Sequence, residues 1–131
     1  GTLMKPYVVD HVEGADGTTV KETIPEIYAD LMSEKDAKKL QKMLREVVTS
    51  GTGYNLDTDV YTAAGKTGTA EIKQSQTDTK GTEIGWFVTI MPATNNKEAL
   101  ELVSMTENVK KRGGSGYVVN KTKKIMEEYL Q

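Results

Sequence analysis

The sequence contains no cysteine and only one histidine, His11. Without cysteine the protein can form neither disulfide bonds nor metal sites with thiolate ligands. A single histidine argues against a Ser-His-Asp triad and against a zinc site built from several imidazoles. His11 lies in a stretch that is typical of a hairpin, and we predict that it is a surface residue.

Long apolar runs and a strong charge of one sign are also missing. Seventeen lysine and arginine residues stand against nineteen aspartate and glutamate residues, which gives a formal net charge of −2. This balance predicts no general attraction to nucleic acid or to an anionic membrane. No apolar stretch reaches the roughly 18 residues of a membrane span, and no signal peptide follows Gly1. We therefore expect any export signal or anchor to lie upstream of this segment.

The first part of the chain is predicted to hold a short strand, a hairpin and a helix. Residues 4–9 are β-prone and contain a proline, as in an edge strand. Residues 13–21 combine turn residues with a second β-prone arm, which predicts a hairpin. Ser33 is a predicted helix N-cap with Asp36 in the capping-box position, and Gly51 is the predicted stop. The apolar face of this helix consists of Ala37, Leu40, Met43, Leu44, Val47 and Val48.

Three strands are predicted next, over residues 60–72, 84–91 and 99–105, with a turn over residues 92–97. Their connections are short, so we expect the strands to be antiparallel. The strand over 84–91 is apolar on both pleat faces, which predicts that both faces are covered and that both of its aromatic residues, Trp86 and Phe87, pack in the core.

A helix that follows the glycine-rich residues 113–116 is predicted to close the chain. Its predicted apolar face consists of Val118, Thr122, Ile125, Met126, Tyr129 and Leu130. The predicted fold class is therefore α/β in the α+β sense, with an antiparallel sheet of about three strands, an N-terminal hairpin and a C-terminal helix that covers the sheet.

The segment Lys66-Thr67-Gly68-Thr69 is the part of the sequence that most directly indicates an active-site motif. K-T-G is one of three signatures of the serine enzymes that react with penicillin, together with S-x-x-K and S-x-N. None of the five serines has a lysine three residues later or an asparagine two residues later. We therefore expect the chain to supply the rear of an active site whose nucleophile lies elsewhere.

Other interpretations of these residues are weaker. A phosphate-binding G-x-x-x-x-G-K-[ST] loop would need glycine where the chain has Val60, and a helix directly after the lysine. An edge strand with a solvent-facing Lys66 and Thr67 is the plain structural alternative. Asp57 and Asp59 lack the Gly and Glu of a calcium loop, and we predict that they are solvated loop acids. Neither a metal nor any other cofactor is predicted.

The longer string Ala64–Glu71, A-G-K-T-G-T-A-E, resembles the third-motif strand of class B penicillin-binding proteins, the peptidoglycan transpeptidases. Residues 3–9 resemble the family's segment after the S-x-N region, and residues 37–53 resemble its helix and loop before the K-T-G strand. Similarity to the low-affinity, methicillin-resistance-type branch comes from residues 71–73, 84–87 and 111–117. The resemblance covers residues 1–131 and implies the C-terminal portion of the transpeptidase domain, in the penicillin-binding-protein/serine β-lactamase-like fold.

The resemblance also implies a role for each residue of the motif. Lys66, Thr67 and Thr69 would bind the terminal carboxylate of a D-Ala-D-Ala stem peptide or of a β-lactam. Lys66 would in addition assist proton transfer at the serine of the missing S-x-N. Gly68 would leave room for a substrate backbone along the strand, and the backbone amide of Thr69 would form part of the oxyanion hole.

The implied function is that of a peptidoglycan D,D-transpeptidase, which cross-links the bacterial cell wall through an acyl-enzyme. Its parent would be extracytoplasmic and anchored in the membrane by an upstream segment. The segment alone is predicted to be catalytically inert and to self-associate through exposed apolar surface. The alternatives are a related serine β-lactamase or D,D-carboxypeptidase, and a non-catalytic binding module.

Overall fold

The computed structural model describes residues 1–92 and 99–130, and apart from Pro92 the predicted turn over 92–97 lies outside them. The chain divides into two compact units, Gly1–Leu40 and Gln41–Gln131. None of the helices in the described ranges is both long and apolar enough to cross a membrane.

The first unit consists of two small antiparallel strand pairs and the start of a helix. Strands β1 (Thr2–Met4) and β4 (Ile27–Asp30) form one pair, and β2 (His11–Glu13) and β3 (Thr19–Glu22) form the other. The β2–β3 pair confirms the predicted turn and second arm of a hairpin, whose first arm is His11–Glu13, and the turn uses Gly17 at a positive φ of 78°. The predicted strand over residues 4–9 is wrong, because β1 already ends at Met4, two residues before a proline that has no amide to donate. Strand β4 was not predicted.

Helix α1 (Glu34–Thr49) begins where the capping residues predicted. The Asp36 amide donates to Ser33 Oγ over 3.2 Å, and the Ser33 hydroxyl donates to the Asp36 carboxylate over 2.7 Å. The Asp36 carboxylate accepts hydrogen bonds from the Ser33 hydroxyl and from Lys39 Nζ, and these bonds hold its pKa below the usual value. The predicted apolar face is only partly covered, since Val48 is fully buried whereas Met43 is 62% exposed.

The second unit contains the predicted three-stranded antiparallel sheet. Strands β5 (Ala64–Ile72), β6 (Thr82–Met91) and β7 (Leu100–Thr106) lie in that order, with β6 in the centre. The sheet begins four residues later than the predicted residue 60, and a short 3-10 helix over Tyr54–Leu56 interrupts the preceding loop.

Helix α2 (Ser115–Tyr129) covers one face of this sheet, as predicted. Its buried residues are Val118, Val119, Thr122 and Met126. The predicted face was partly wrong, because Ile125 and Tyr129 are exposed and the face is instead shifted to include Val119.

The central strand β6 is buried mainly on the face that meets α2. Phe87 is completely buried there, whereas Trp86 on the opposite pleat face is 38% exposed. We predicted that both faces of this strand are covered and that both aromatic residues pack in the core. Both predictions are wrong for Trp86. Gly85 explains the close approach of the helix, since a β-carbon at this position would lie 2.8 Å from Val118 Cγ2.

Candidate K-T-G site

Strand β5 forms one edge of its sheet and carries the K-T-G motif along that edge. The Val88 carbonyl of β6 points toward β5, since it lies 2.5 Å from the position a β-carbon on Gly65 would take. Val88 is opposite Lys66 in the register, so these two residues form the pair that exchanges both backbone hydrogen bonds. By the antiparallel alternation, Thr67 and Thr69 direct their amides and carbonyls away from β6, to the open edge.

Lys66 places a positive charge at this open edge. The side chain is exposed, and its Nζ donates to the carbonyl oxygen of Thr67 over 2.8 Å. Among the described residues Lys66 forms no ion pair, whereas the nearby Lys73 pairs with Glu71 at 2.6 Å. The hydrogen bond and charge of Lys73 lower the pKa of the Glu71 carboxyl. An ammonium group without a carboxylate partner is thus available to an anion from outside the chain.

The two threonines lie on the pleat face opposite the Lys66 side chain, because side chains alternate along a strand. Thr67 is 9% exposed, and its Oγ1 lies 2.7 Å from Thr52 Oγ1. Thr69 is exposed. Lys66 shares the strand edge with them only because its long side chain bends to the Thr67 carbonyl. The joint binding of one carboxylate by Lys66, Thr67 and Thr69 stays a prediction.

The two glycines that flank Lys66-Thr67 have different surroundings. A β-carbon on Gly65 would lie 2.5 Å from the Val88 carbonyl and 3.0 Å from the Phe87 ring, so the fold itself requires glycine there. A β-carbon on Gly68 would meet only Trp86 Cβ, at an ordinary 3.5 Å. The space beside Gly68 is therefore not needed for packing within the described part of the chain.

Sequence reasoning missed the contacts that hold the segment before β5. Arg45 of α1 donates from Nη1 to the Ala63 carbonyl over 2.8 Å and from Nη2 to Asp57 Oδ1 over 2.7 Å. Asp57 is an exposed loop acid, as predicted, and its carboxylate is in addition ion-paired with Arg45. The partners lie 12 and 18 residues from Arg45, and no local periodicity signals contacts at such separations.

The connection between β5 and β6 is organised by two charged side chains. Lys110 Nζ donates to the carbonyls of Thr79 and Gly81 over 3.1 and 3.0 Å. The Asp78 carboxylate accepts backbone amides across the loop, and these bonds hold its pKa below the usual value. Its donors are the amides of Gln74, Lys80 and Gly81. The loop that follows the K-T-G strand thus has a defined conformation.

His11 lies on the surface of the first unit, as predicted. Its Nδ1 is 3.0 Å from an Asp10 carboxylate oxygen, and its Nε2 is 3.2 Å from a Glu13 carboxylate oxygen. The hydrogen bonds to Asp10 and then to Glu13 raise the pKa of His11 above its ordinary value. Two adjacent carboxylates account for this shift without any functional role.

Comparison with known proteins bears on the identity of this strand and sheet. The Bacillus subtilis (strain 168) protein "Penicillin-binding protein 3" is 38% identical over 128 residues, which are 94% of this chain and 19% of that protein. The D,D-transpeptidase domain of a peptidoglycan glycosyltransferase from Eggerthella lenta matches all of this chain and 30% of its own, with a TM-score of 0.69 and 25% identity. Penicillin-binding protein A from M. tuberculosis, solved as an imipenem acyl-enzyme complex, shares the fold over all of this chain and 27% of its own, with a TM-score of 0.68 and 23% identity.

The chain spans less than a fifth of the length of the curated relatives it matches, 19% in the case of the B. subtilis penicillin-binding protein 3. The model of the family described as "Penicillin binding protein transpeptidase domain" matches residues 1–127. That match takes in both units and the whole K-T-G strand. The chain therefore belongs to the penicillin-binding protein transpeptidase domain family.

Proposed function

We propose that this chain is the C-terminal portion of the transpeptidase domain of a class B peptidoglycan D,D-transpeptidase, and that β5 is its carboxylate-binding strand. The observation that carries the proposal is the Lys66 ammonium at an open strand edge, which has no carboxylate partner among the described residues and lies beside the backbone groups of Thr67 and Thr69. The substrate of such an enzyme ends in a carboxylate, and an ammonium with neighbouring donors is the natural partner for that anion.

The reaction would begin at a serine in an S-x-x-K motif that is not part of this sequence. Its oxygen attacks the carbonyl of the penultimate D-Ala, and the terminal D-Ala leaves as an amine, so that an ester joins the stem peptide to the enzyme. An amine of a neighbouring stem then attacks the ester, forms the cross-linking amide and frees the serine. A β-lactam enters the same first step, and its opened ring remains attached to the serine.

In this scheme the strand edge supplies the electrostatic part of catalysis. The Thr69 amide points to the same edge as the Thr67 carbonyl, and it would donate to the oxyanion that forms during acylation. Loss of one such donor typically costs about 10²–10³ in rate. The open space beside Gly68 would let an extended substrate lie along β5 as an additional strand.

The decisive experiment exposes the full-length gene product to a penicillin and records its intact mass, followed by peptide mapping. We expect one acyl adduct on a serine upstream of Gly1, in an S-x-x-K motif. Lys66→Ala should slow acylation by about 10- to 100-fold, the usual worth of a hydrogen bond to a charged group. Lys124→Ala, on the exposed side of α2, is the matched control.

Absence of an adduct on the wild-type protein would overturn the proposal. A rapid release of the acyl group would favour a β-lactamase or carboxypeptidase over a transpeptidase. The isolated chain should form no covalent adduct, because it contains no serine in an S-x-x-K motif. A serine-linked adduct on the isolated chain would contradict its assignment as a catalytically inert portion.

Two finer assignments belong to the same proposal. An extracytoplasmic, membrane-anchored parent fits an enzyme that acts on peptidoglycan, and fractionation of cells that express the full-length protein would test it. Membership of the methicillin-resistance-type branch rests only on the similarity of residues 71–73, 84–87 and 111–117, and the relatives reported above do not support it. A fast acylation at micromolar penicillin would exclude this branch.

A further inference from the structure

Thr52 contacts the K-T-G strand although it lies outside the motif. It occupies the loop between α1 and the 3-10 helix, and its Oγ1 is 2.7 Å from Thr67 Oγ1. The loop backbone is fixed on both sides of it, since the Gly53 amide donates to the Val47 carbonyl over 2.9 Å and the Tyr54 amide donates to the Gly51 carbonyl over 3.2 Å. The loop backbone that carries the Thr52 hydroxyl is therefore held in place by hydrogen bonds.

The geometry limits how the two hydroxyls can share their protons. Each hydroxyl has one proton to donate and two lone pairs that accept. If a carboxylate binds at the strand edge and accepts the proton of Thr67, the contact of 2.7 Å requires Thr52 to be the donor and Thr67 the acceptor. In such a chain each hydrogen bond polarises the next, so the bond from Thr67 to the anion is strengthened.

The position of Thr67 makes its orientation sensitive to this contact. Thr67 is only 9% exposed, so few water molecules can replace Thr52 as a partner. Its β-carbon carries a methyl group and a hydroxyl of similar size, and a change of rotamer would exchange their positions. A hydroxyl on this fixed loop backbone, 2.7 Å from Thr67 Oγ1, favours the rotamer in which the Thr67 oxygen faces Thr52.

We infer that Thr52 is a positioning residue for carboxylate recognition, which donates to Thr67 Oγ1 and thereby turns the Thr67 proton toward the substrate carboxylate. The inference rests on the proposed function and adds to it a residue outside the K-T-G motif. It predicts a specific dependence, in which Thr52 matters for a β-lactam that carries a carboxylate and not for one in which that group is neutral.

The test measures acylation of the full-length protein by a penicillin and by the methyl ester of the same penicillin. Thr52→Val removes the hydroxyl at nearly constant volume, and we expect it to slow acylation by the free acid about 3- to 10-fold, the worth of one neutral hydrogen bond. The loss should appear in the concentration of penicillin needed for half-maximal rate. Acylation by the ester should be unchanged, and Thr52→Ser should restore the wild-type rate.

Three further variants make the outcome specific. Thr67→Val should slow acylation by the free acid at least as much as Thr52→Val does. The double variant should be no slower than Thr67→Val alone, because Thr52 and Thr67 act through one hydroxyl. Thr49→Val, at the exposed end of α1, is the control for a threonine change near the site. Equal losses with acid and ester, additive losses in the double variant, or a wild-type rate for Thr52→Val would each overturn the inference. A wild-type protein that forms no adduct would instead refute the proposed function.

Discussion

The two glycines of β5 give the sharpest residue-level distinction between folding and function. We expect Gly65→Ala to lower the free energy of unfolding by about 2 kcal/mol or more, because its β-carbon would collide with the Val88 carbonyl. Gly68→Ala should leave stability unchanged or raise it by up to about 1 kcal/mol, since alanine loses less backbone entropy on folding. Urea denaturation of both variants measures the difference.

The same pair also tests the proposed role of Gly68. In the full-length protein, Gly68→Ala should slow acylation although it folds normally, because its methyl group projects into the space proposed for the substrate backbone. A Gly68→Ala variant that is as destabilised as Gly65→Ala would show that glycine is kept there for packing. Normal stability with normal acylation would remove Gly68 from the site.

His11 provides a residue-scale prediction that depends on pH. Its pKa should lie above the ordinary value, and Asp10→Asn should lower it, because Asp10 makes the largest contribution. The sequence has one histidine, so its ring resonances can be followed by NMR without ambiguity. Because the folded pKa is raised, this small stabilisation is complete below the ordinary pKa and is lost as pH rises through the raised value.

Glu107→Gln changes a carboxylate that is not among the hydrogen-bond partners of His11, and it serves as the control for this titration. It should leave the His11 pKa where it is in the wild-type protein. A His11 pKa at or below the ordinary value would mean that the contacts to Asp10 and Glu13 are not formed in solution. An unchanged pKa in Asp10→Asn would assign the shift to another group.

At the scale of secondary-structure elements, Arg45 ties α1 to the segment that leads into β5. Arg45→Ala removes two hydrogen bonds, to Ala63 and Asp57, and should lower the free energy of unfolding by about 1–2 kcal/mol. Lys38→Ala, which loses only an exposed pair with Glu34 on the same helix, should cost about 0.3–0.5 kcal/mol. Chemical denaturation of the two variants would measure this difference, and equal costs would argue that Arg45 is as solvated as Lys38.

Local sequence signals predicted both helices and the three-stranded sheet, but neither strand β4 nor the contacts between distant residues. The N-cap at Ser33 and the hairpin over residues 13–21 depend on neighbours a few positions apart, and both were predicted. Exposure of Trp86 and the Thr52–Thr67 contact depend on which face of a sheet another element covers and on which loop reaches the edge strand. Apolar character on both faces of β6 could not reveal that α2 covers only one of them.

At the scale of the whole molecule, only the second of the two units has a hydrophobic core. The second unit contains a cluster around Phe87, Leu56 and Met126 whose members are almost completely inaccessible to solvent. The first unit contains no buried residue among its forty. A unit without a core gains little from the hydrophobic effect to offset the entropy lost on ordering its chain. Its apolar side chains are therefore available to another surface.

The exposed apolar side chains of the first unit are the surface through which we expect the isolated chain to self-associate. Val8 and Ile24 of the first unit are 101% and 79% exposed, so we expect the mean mass of the isolated chain by light scattering to rise with concentration. The double change Val8→Ser and Ile24→Ser should suppress this rise. Val60→Ser, which changes a 74% exposed side chain of the second unit, should not suppress it. A monomeric mass at every concentration would contradict self-association. If Val60→Ser suppressed the rise in mass equally, the assignment of the contact to the first unit would be wrong. Association would then depend on total apolar exposure and not on the unit that lacks a core.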